Sequence, residues 1–531
     1  MSNDAARMNR RDLLRAAGAG GVVGLLGGIY ASSRVGRDDR GGRPVGANFE
    51  AIGPPSPLPA RETPTRPTGG TPSTTSPQTN SATDEPPATT ADDPPQTSRP
   101  PPTTEPPPDV DAPHAEEFDR VVDAVAEGAD PTGADPVNVL FDEEADDDTL
   151  LAFEPGEYLI DYFSVSDLAN FGVVSTGPEP VTFVPASGDC RGGHPWVAFD
   201  SVSDLLLENV LFDFRDSSSG GPVHLLLRGD SMVRDVTYVG SCSNQISAFK
   251  VQVRDPEGTA LFERVDARNV DDNQSLTGTF VTSDHAGTVT FRDCTLETFS
   301  DNGLYASAPG LPDGRDGRVD VVNCTYRNNN VANVRLGSTG SRASGVTVEV
   351  DSSVPGWGRL NARGIRLRNR SGQVVENCAI TFGAEAAESF GGVVFHPDNG
   401  RAVVRDTAIT VDRDEVPAIR AFPATAAGDG PVFENLAIDG TAAGSVVANV
   451  EGRDGTVFEG CTIDGSGADR GGLRFVDSAD CRIVDTEFDV TGPPVVARNA
   501  SVEVENCVVA TADGERRIDR RVVEDETLTV D

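Results

Sequence analysis

A short apolar pattern that recurs along this chain limits the folds open to it. Each copy alternates apolar residues and usually continues with Asn or Asp and then a small or apolar residue, as in VDVVNCTYR, QVVENCAIT and VEVENCVVA. Eleven intervals between copies span 297 residues, so the mean period is 27. The residues that follow the Asn/Asp position are Val210, Val236, Val265, Cys294, Cys324, Asp351, Cys378, Thr407, Leu436, Cys461, Thr486 and Cys507.

This period predicts an all-β fold: a right-handed parallel β-helix, or β-solenoid, of about 12 coils of ~27 residues. A single repeat cannot bury its apolar face, whereas stacked repeats share one continuous core. Stacking at about 4.8 Å per coil gives twelve coils a length of about 58 Å. Leucine-rich repeats are excluded because the repeat has no spaced leucine consensus and no helix. Propeller blades are excluded because they need about 40 residues.

The cysteines follow the same repeat. Buried cysteine behaves as a compact hydrophobe, and the sequence has no Cys-x-x-Cys and no histidine close to the cysteines of the repeat. We therefore expect an inward ladder of free thiols rather than disulfides or a metal site. The Asn and Asp before them are expected at corners, because these residues tolerate turn geometry and bond the backbone. Five of the eight cysteines share this position: Cys294, Cys324, Cys378, Cys461 and Cys507.

Residues 1–35 resemble a twin-arginine export signal. Arg10 and Arg11 precede an apolar stretch from Ala16 to Tyr30 that is rich in Gly and Ala. At about 15 residues this stretch is shorter than the about 20 that a membrane span needs. We therefore expect export by the twin-arginine translocase to the cell surface or the medium. An uncleaved N-terminus that tethers the protein to the membrane stays open as an alternative.

Residues 36–112 form a Pro/Thr-rich linker. The segment from Ala51 to Val110 holds 18 prolines and 13 threonines in 60 residues and almost no large apolar side chains. Such a segment cannot bury enough surface to offset its chain entropy, so we expect a disordered, extended stalk. The β-helix domain then covers residues 113–531.

The start of this domain has helical spacing. The segment HAEEFDRVVDAVAEGAD places Phe118, Val121, Val122 and Val125 on one helical face before the stop signal Gly128. It is followed by LLAFEPGEYLI, in which a Pro-Gly turn joins two apolar strands. We therefore expect an N-terminal capping helix ahead of the first coil.

The charge is strongly acidic. Acidic residues outnumber basic ones by 84 to 44, which gives a net charge of −40. Lys250 is the only lysine, and every other cation is an arginine. This balance is typical of halophilic proteins, in which salt shortens the Debye length to about 3 Å at 1 M. An ordinary acidic secreted protein is the alternative. The net charge disfavours nucleic acid as a partner.

One stretch departs from the acidity of the whole. Between Val321 and Val375 the net charge is +6, because the only carboxylates are Glu349 and Asp351. The eight arginines of this stretch are Arg327, Arg335, Arg342, Arg359, Arg363, Arg366, Arg368 and Arg370.

Strand alignment gathers part of this charge on one surface. The segments DNGLYAS, ANVRLGS, RGIRLRN, GGVVFHP and PAIRAFP align as one strand from each of five coils, with Leu304, Val334, Ile365, Val393 and Ile419 pointing inward. The residues after these then point outward, followed by a second outward column two positions on. We call both columns the arginine strip: Tyr305, Arg335, Arg366, Val394 and Arg420, with Arg368 and His396. Asp301, Asn333 and Arg363 are expected at its near edge, and Asp398 in the turn after His396.

This strip suits an acidic polysaccharide. Arginine binds carboxylates or sulfates in a bidentate way, and tyrosine stacks on a sugar face. We therefore predict substrate binding by Tyr305, Asn333, Arg335, Arg363 and Arg368. A β-elimination needs a base beside a neutralised carboxylate, and a hydrolysis needs two carboxylates about 5–5.5 Å or 6.5–9.5 Å apart. The catalytic candidates are Asp301, Arg366, His396 and Asp398.

Several alternatives stay open. The arginines of the strip could be solvated or paired with acidic neighbours, and His396 could be a surface histidine. The adjacent pair Asp284 and His285 point apart if they lie on a strand. The acidic run from Asp142 to Asp148 lacks the glycine spacing of a calcium loop, although calcium stays open as a cofactor. The sequence requires no cofactor.

The capping segment, PGEYLI and the V-x-V-x-N-C-x-I pattern at Cys324, Cys378 and Cys507 carry a family resemblance. The chain resembles the pectin-lyase-like right-handed parallel β-helix superfamily, and more closely the β-helix repeat proteins exported by haloarchaea. This resemblance implies the fold. It implies no particular reaction, because the Asn-Thr-Asp and Gly-His-Gly motifs of polygalacturonases and the Arg-x-x-Pro-x-x-Arg segment of pectate lyases are absent.

Two function hypotheses follow. The first is an extracellular protein that engages polysaccharide at the arginine strip, as a lyase, a hydrolase or a binder. The second is a non-catalytic envelope protein, a stalked rod for structure or adhesion. In either case we expect the chain to act as a monomer.

Overall fold

The computed structural model describes residues 110–529 apart from 187–194, 216–221, 241–246, 271–275, 355–360 and 426–429. The export signal with Arg10 and Arg11 and the linker up to residue 109 lie outside the described residues, so their assignments stay predictions.

The described residues form an all-β parallel β-solenoid of about 12 turns. Most turns contribute two strands, joined at a corner, to sheet A of 28 strands, and one strand to sheet B of 13 strands. Each strand pairs in parallel with the equivalent strand of the neighbouring turn, so every backbone edge inside the stack is satisfied. The predicted fold class is confirmed. Right-handed winding is the rule for such crossovers and stays a prediction.

The strands have the following bounds. Before the corner in sheet A come β1 (Arg120–Asp123), β3 (Thr149–Phe153), β6 (Phe171–Ser175), β13 (Thr259–Glu263), β16 (Thr288–Arg292), β19 (Arg318–Val322), β22 (Arg342–Ser344), β25 (Val374–Glu376), β28 (Val403–Arg405), β31 (Val432–Glu434), β34 (Val457–Glu459) and β37 (Cys481–Val484). After the corner come β2 (Thr132–Pro136), β4 (Gly156–Ile160), β7 (Val181–Pro185), β14 (Asp266–Asn269), β17 (Thr295–Glu297), β20 (Thr325–Arg327), β23 (Thr347–Val350), β26 (Ala379–Phe382), β29 (Ala408–Val411), β32 (Ala437–Asp439), β35 (Thr462–Gly465) and β38 (Glu487–Val490).

Three strands run through the corner: β9 (Leu206–Phe214), β11 (Ser231–Gly240) and β40 (Ser501–Thr511). Sheet B contains β5 (Phe163–Ser166), β8 (Val197–Asp200), β10 (Val223–Leu227), β12 (Ser247–Val253), β15 (Thr277–Val281), β18 (Leu304–Ala306), β21 (Ala332–Leu336), β24 (Arg363–Leu367), β27 (Val393–Phe395), β30 (Ile419–Ala421), β33 (Val446–Glu451), β36 (Gly471–Val476) and β39 (Val495–Arg498).

The corner of sheet A is a left-handed residue in each repeat. Asn323, Asn377 and Asn506 have φ of 55°, 53° and 54°, a region that Asn and Asp tolerate better than other residues with a side chain. The predicted corner role is confirmed. One coil was aligned wrongly from the sequence. The corner of this coil is Gly345, with φ 68°. The residue that follows the corner is therefore Val346, and Asp351 does not occupy this position of the repeat.

The cysteine ladder is confirmed. Cys294, Cys324, Cys378, Cys461 and Cys507 are free and buried. Burial raises the pKa of the Cys378 and Cys461 thiols to about 11, so these thiols stay protonated and unreactive at neutral pH. Cys481, at another position of the repeat, is also free and buried.

The capping helix lies elsewhere than the sequence suggested. The predicted segment contains only a 3₁₀ turn, Ala115–Glu117, and then β1, whose valines pair in parallel with β3. The β-branched valines of this segment favour a strand, and parallel pairing of β1 with β3 stabilises the strand over a helix. The helix is α1 (Asn138–Glu144), which buries Leu140 and Phe141 in the core. The Phe141 ring stacks on Phe163 at a centroid distance of 3.9 Å.

The C-terminal turn is closed by the chain itself. β41 (Gly514–Glu524) folds back antiparallel on β40, and the Leu528 amide then donates to the Val495 carbonyl of β39 at 2.9 Å. Antiparallel closure covers edges that would otherwise pair with another chain. Over the described ranges, no helix has the length and apolar character to span a membrane.

Candidate functional site

The outer face of sheet B carries the arginine strip in the predicted register. Tyr305 pairs with Arg335, Arg335 with Arg366, Arg366 with Val394, and Val394 with Arg420, on strands β18 to β30. Their inward neighbours Leu304, Val334, Ile365, Val393 and Ile419 are fully buried. The strand alignment is therefore confirmed, and residues from distant parts of the chain lie side by side at about 4.8 Å per turn. The strip side chains Tyr305, Arg335, Arg366 and Arg420 are themselves only 9%, 7%, 2% and 8% exposed, so most of each side chain is buried.

Aromatic rings and guanidinium groups stack at the N-terminal end of the strip. The Arg335 guanidinium carbon lies 3.9 Å from the centre of the Tyr305 ring, within the range of a cation–π contact. Phe280 precedes Tyr305 in the same register on β15 and meets its ring edge-on at 5.2 Å. Phe280 is half-buried, so its ring still offers apolar surface.

The second outward column holds a charged cluster. Arg368 donates from Nη2 to Asp398 Oδ2 at 2.6 Å and from Nε at 3.2 Å. His396 Nδ1 lies 2.7 Å from Asp398 Oδ1, which also accepts the Asn369 amide at 3.1 Å. These contacts bring two catalytic candidates and one binding candidate of the sequence together.

The protonation of this cluster follows from its surroundings. Burial opposes the ionisation of Asp398, but hydrogen bonds from His396 and Arg368 outweigh it and hold the pKa of this carboxyl below its ordinary value. Burial lowers the pKa of the His396 imidazole, and the charges of Arg368 and Arg366 lower it further against the pull of Asp398. The site at neutral pH is therefore an ionised carboxylate beside a neutral imidazole.

Two edge residues have different surroundings from those the sequence suggested. Asn333 is fully buried inside the coil, where its Oδ1 accepts the Asn329 amide at 3.2 Å and its Nδ2 donates to the Arg363 carbonyl at 3.1 Å. These bonds hold the Asn333 side chain inside the coil, and its role in substrate binding stays a prediction. Arg363 is also buried, at 2% exposure. Its Nη1 donates to the Val331 carbonyl at 2.9 Å, and its guanidinium carbon lies 4.7 Å from the Phe390 ring.

Asp301 and Asp398 do not form a hydrolytic pair. Asp301 precedes β18, whereas Asp398 follows β27, and these strands are separated by three steps of the sheet. Three steps amount to about 14 Å at about 4.8 Å each, beyond the about 9.5 Å upper limit for an inverting pair. Asp301 accepts from Asn302 Nδ2 at 2.7 Å instead.

The strip continues beyond the residues found from the sequence. Arg420 pairs in register with Asn449, and Asn449 with Arg474. Arg474 Nε donates to Asn449 Oδ1 at 2.7 Å. The guanidinium carbon of Arg420 lies 4.7 Å from the Phe422 ring. The sequence signal was present, because GGLRFVD on β36 repeats the alternation of RGIRLRN on β24.

Three arginines of the basic stretch lie elsewhere. Arg327 on β20 pairs with Asp351, Arg342 on β22 with Glu376, and Arg370 lies 3.7 Å from Asp316. Arg359 lies outside the described residues. The cationic character of the face therefore comes from Arg335, Arg363, Arg366, Arg368, Arg420 and Arg474.

Other candidates are structural. His285 is fully buried, and its Nε2 donates to the Arg318 carbonyl at 2.9 Å while its Nδ1 accepts the Val253 amide at 3.1 Å. A cavity of about 490 Å³ lies on sheet A, lined in part by His114, Arg234 and Arg292, and is separate from the strip. Within the described ranges, no three His, Cys, Asp or Glu side chains are grouped to hold a metal ion.

No protein-family model matches this chain, and neither does any curated protein. Solved structures with a similar fold include the catalytic domain of Agl-KA, with 14% identity and a TM-score of 0.43 over 72% of this chain and 68% of that one. The A-module of the Azotobacter vinelandii mannuronan C-5 epimerase AlgE6 has 14% identity and a TM-score of 0.40 over 73% and 99%. The Streptococcus pneumoniae surface adhesin PfbA has 11% identity and a TM-score of 0.41 over 77% and 98%. The function is therefore argued from the residues of this chain.

Proposed function

We propose that this chain is an exported protein that binds an acidic polysaccharide along the arginine strip. The observation that carries the proposal is the register of sheet B, which stacks Tyr305, Arg335, Arg366 and Arg420 in one outward column. The twin-arginine signal at Arg10 and Arg11 supports export, and the proposal places the protein at the cell surface or in the medium.

The chemistry of the column fits a linear anionic polymer. Guanidinium groups bind carboxylates or sulfates through two parallel hydrogen bonds, and aromatic faces accept sugar rings. Because three successive turns present Tyr305, Arg335 and Arg366, and Arg420 follows two turns later, a polymer lying across the strands meets a cation at several turns. A net charge of −40 on the whole chain would repel this ligand elsewhere, which favours binding at the cationic face.

A lyase reaction is the second candidate, and the cluster at His396 favours it. A neutral imidazole can accept a proton. The neighbouring Arg366 and Arg368, whose charges lower the pKa of His396, could neutralise the carboxylate of the sugar that loses the proton. Asp301 and Asp398 are separated by three steps of the sheet, which amounts to about 14 Å, and hydrolysis by that pair therefore has no such support. A purely structural or adhesive envelope role is the remaining alternative.

The decisive experiment compares two double variants. Arg335→Ala with Arg366→Ala removes two cations from the strip. Arg327→Ala with Arg482→Ala makes the same change of charge on sheet A, where both side chains have acidic partners. We expect only the first variant to lose affinity for polygalacturonate and alginate, by about tenfold or more for two charge-assisted contacts.

Binding and reaction are measured side by side at several salt concentrations. Equal affinity of the two double variants would refute the strip as the binding surface, and so would equal binding of neutral glucans. The appearance of absorbance from unsaturated uronate ends, lost in His396→Ala, would establish the lyase. Binding without such product would leave a non-catalytic glycan binder.

A further inference from the structure

The outward column of sheet B also extends toward the N-terminus, where it holds the only lysine of the chain. Lys250 lies on β12, with His224 of β10 on one side in register and Phe280 of β15 on the other. Phe280 is in turn the register partner of Tyr305. His224 and Lys250 therefore continue the line of the arginine strip without a break.

Lys250 lacks the acidic partner that most arginines of the surface have. It is half-buried, and in the described part of the chain no carboxylate lies within ion-pair distance of its ammonium. Asp200, two strands away, forms an ion pair with Arg254 at 3.3 Å. The exposed Asp284 affects Lys250 only by a longer-range electrostatic interaction. A half-buried cation without a partner is costly, and an external anion would relieve that cost.

The neighbours of Lys250 suit a sugar. Burial and then the charge of Lys250 lower the pKa of His224 to about 3, so its neutral imidazole can both donate and accept a hydrogen bond to a hydroxyl. The half-buried Phe280 ring provides an apolar face. A cation, a hydroxyl-binding group and a ring thus stand at three successive turns.

The choice of lysine has a chemical consequence. Arginine stays protonated under all conditions that a protein survives, whereas a desolvated lysine loses its proton near neutral to alkaline pH. Burial lowers the pKa of Lys250, and the fields of Asp200 and Asp284 restore only part of it. The chain has 43 arginines, which stay charged, and one lysine, Lys250, which can lose its charge by deprotonation.

We propose that His224, Lys250 and Phe280 form a pH-gated subsite for a carboxylate-bearing sugar residue, extending the arginine strip by three turns toward the N-terminus. The inference rests on the proposed function, because the same polysaccharide would occupy both. The Lys250 ammonium holds the carboxylate, His224 bonds a hydroxyl, and Phe280 packs on the ring. The subsite binds while Lys250 is protonated and releases as pH rises through its pKa.

Amine labelling tests the contact directly. Because Lys250 is the sole lysine, trinitrobenzenesulfonate can label only this side chain and the terminal amine, which mass spectrometry separates. We expect a saturating oligogalacturonate to slow labelling of Lys250 about fivefold or more, as burial of a contacted amine requires. A neutral maltooligosaccharide should leave the rate unchanged. Labelling of Lys250 that oligogalacturonate does not slow would overturn the subsite.

A pH series with two variants tests the gate. As the pH is raised from about 6 toward the ordinary pKa of lysine, about 10.4, we expect the affinity of the unmodified protein for oligogalacturonate to fall, and to have lost about tenfold once Lys250 is deprotonated, the factor for one lost charge-assisted bond. Lys250→Arg should keep its affinity across this range, and Lys250→Met should be weak throughout. Identical pH profiles for all three proteins would overturn the gate.

The two proposals fail in different ways. If Arg335→Ala with Arg366→Ala loses affinity while Lys250→Met does not, the subsite is refuted and the arginine strip stands. If neither the unmodified protein nor any of the variants binds an acidic oligosaccharide, both the arginine strip and the subsite are refuted as binding sites.

Discussion

Arg453 holds the turns that flank the arginine strip, and its replacement by methionine tests how the strip is supported. The side chain lies in the turn after β33 and is 1% exposed. Its Nε donates to the Phe422 carbonyl at 2.8 Å, Nη1 to that of Asn399 at 2.6 Å, and Nη2 to that of His396 at 2.8 Å. One buried guanidinium therefore ties together the turns after β27 and β30.

The expected loss of stability follows from these three bonds. Methionine fills much of the same space but donates no hydrogen bond. Each carbonyl left without its donor costs about 1–3 kcal/mol. Part of this is recovered, because burial lowers the pKa of Arg453 to about 10, a shift worth about 3 kcal/mol against the charged form. We therefore expect Arg453→Met to lower the free energy of unfolding by about 3 kcal/mol.

Urea denaturation followed by far-ultraviolet circular dichroism, at fixed salt, measures this loss. Arg482→Met is the matched control, because Arg482 is 51% exposed and its partners Glu503 and Glu505 lie 3.8 and 3.7 Å away. Exposed pairs of this kind contribute about 0–1 kcal/mol. The difference between the two variants isolates the buried guanidinium.

A loss for Arg453→Met within about 1 kcal/mol of the control would refute the reasoning, because the carbonyls would then have found other donors. Affinity for acidic glycan provides a second readout. Arg453 positions the backbone of His396 and Phe422, so the variant should bind more weakly even at temperatures where its fold is intact.

Three further predictions concern single buried or corner residues. Asn377→Ala should lower the unfolding free energy by about 1 kcal/mol and Asn377→Gly by much less, since φ is 53° at this corner; equal thermal shifts would contradict this. Cys324→Ser should cost about 1–3 kcal/mol by placing a hydroxyl in the apolar ladder, while Cys324→Ala costs less, and thiol reagents should label Cys324 only after unfolding. Burial lowers the pKa of His285 from 6.5 to about 4, so the unfolded chain binds the proton more tightly, and stability should be full above pH 6.5 and fall by up to about 3 kcal/mol as pH drops toward 4. The acid limb of a denaturation series should be shallower in His285→Gln than in the unmodified protein.

Much of the fold could be predicted because a solenoid repeats one local solution. The positions of Asn323, Cys324 and Arg335 in their turn are set by steric and burial demands that recur in each neighbouring turn. A pattern shared by several repeats can be recognised even where a single repeat has an irregular residue. The alignment failed at Gly345, because the strand before this corner, Arg342–Ser344, has a single apolar residue, whereas the strand after it, Thr347–Val350, alternates as a first strand would.

The errors arose where strict alternation ends. Asn333 and Val334 are adjacent within β21, yet both are fully buried, and the other residues of this strand are buried as well. At Gly364, on the next strand, a Cβ would clash with the Gly392 carbonyl oxygen. Counting by twos places Asn333 outside, and only the backbone path shows that it lies inside. The capping helix failed for a related reason, since β1 gains its partner β3 only in the folded state.

The arginine strip also shows why net charge is a poor guide to what one face binds. On sheet A, arginines lie beside carboxylates from neighbouring turns, as Arg264 does with Asp235 and Arg405 with Glu376. On sheet B, the register instead repeats one outward position as Tyr305, Arg335, Arg366 and Arg420. A solenoid thus repeats one position of its turn along a line, here with arginine at four of the seven turns from Tyr305 to Arg474. Binding by such a line depends on the register of one column, which an average over all surface residues does not contain.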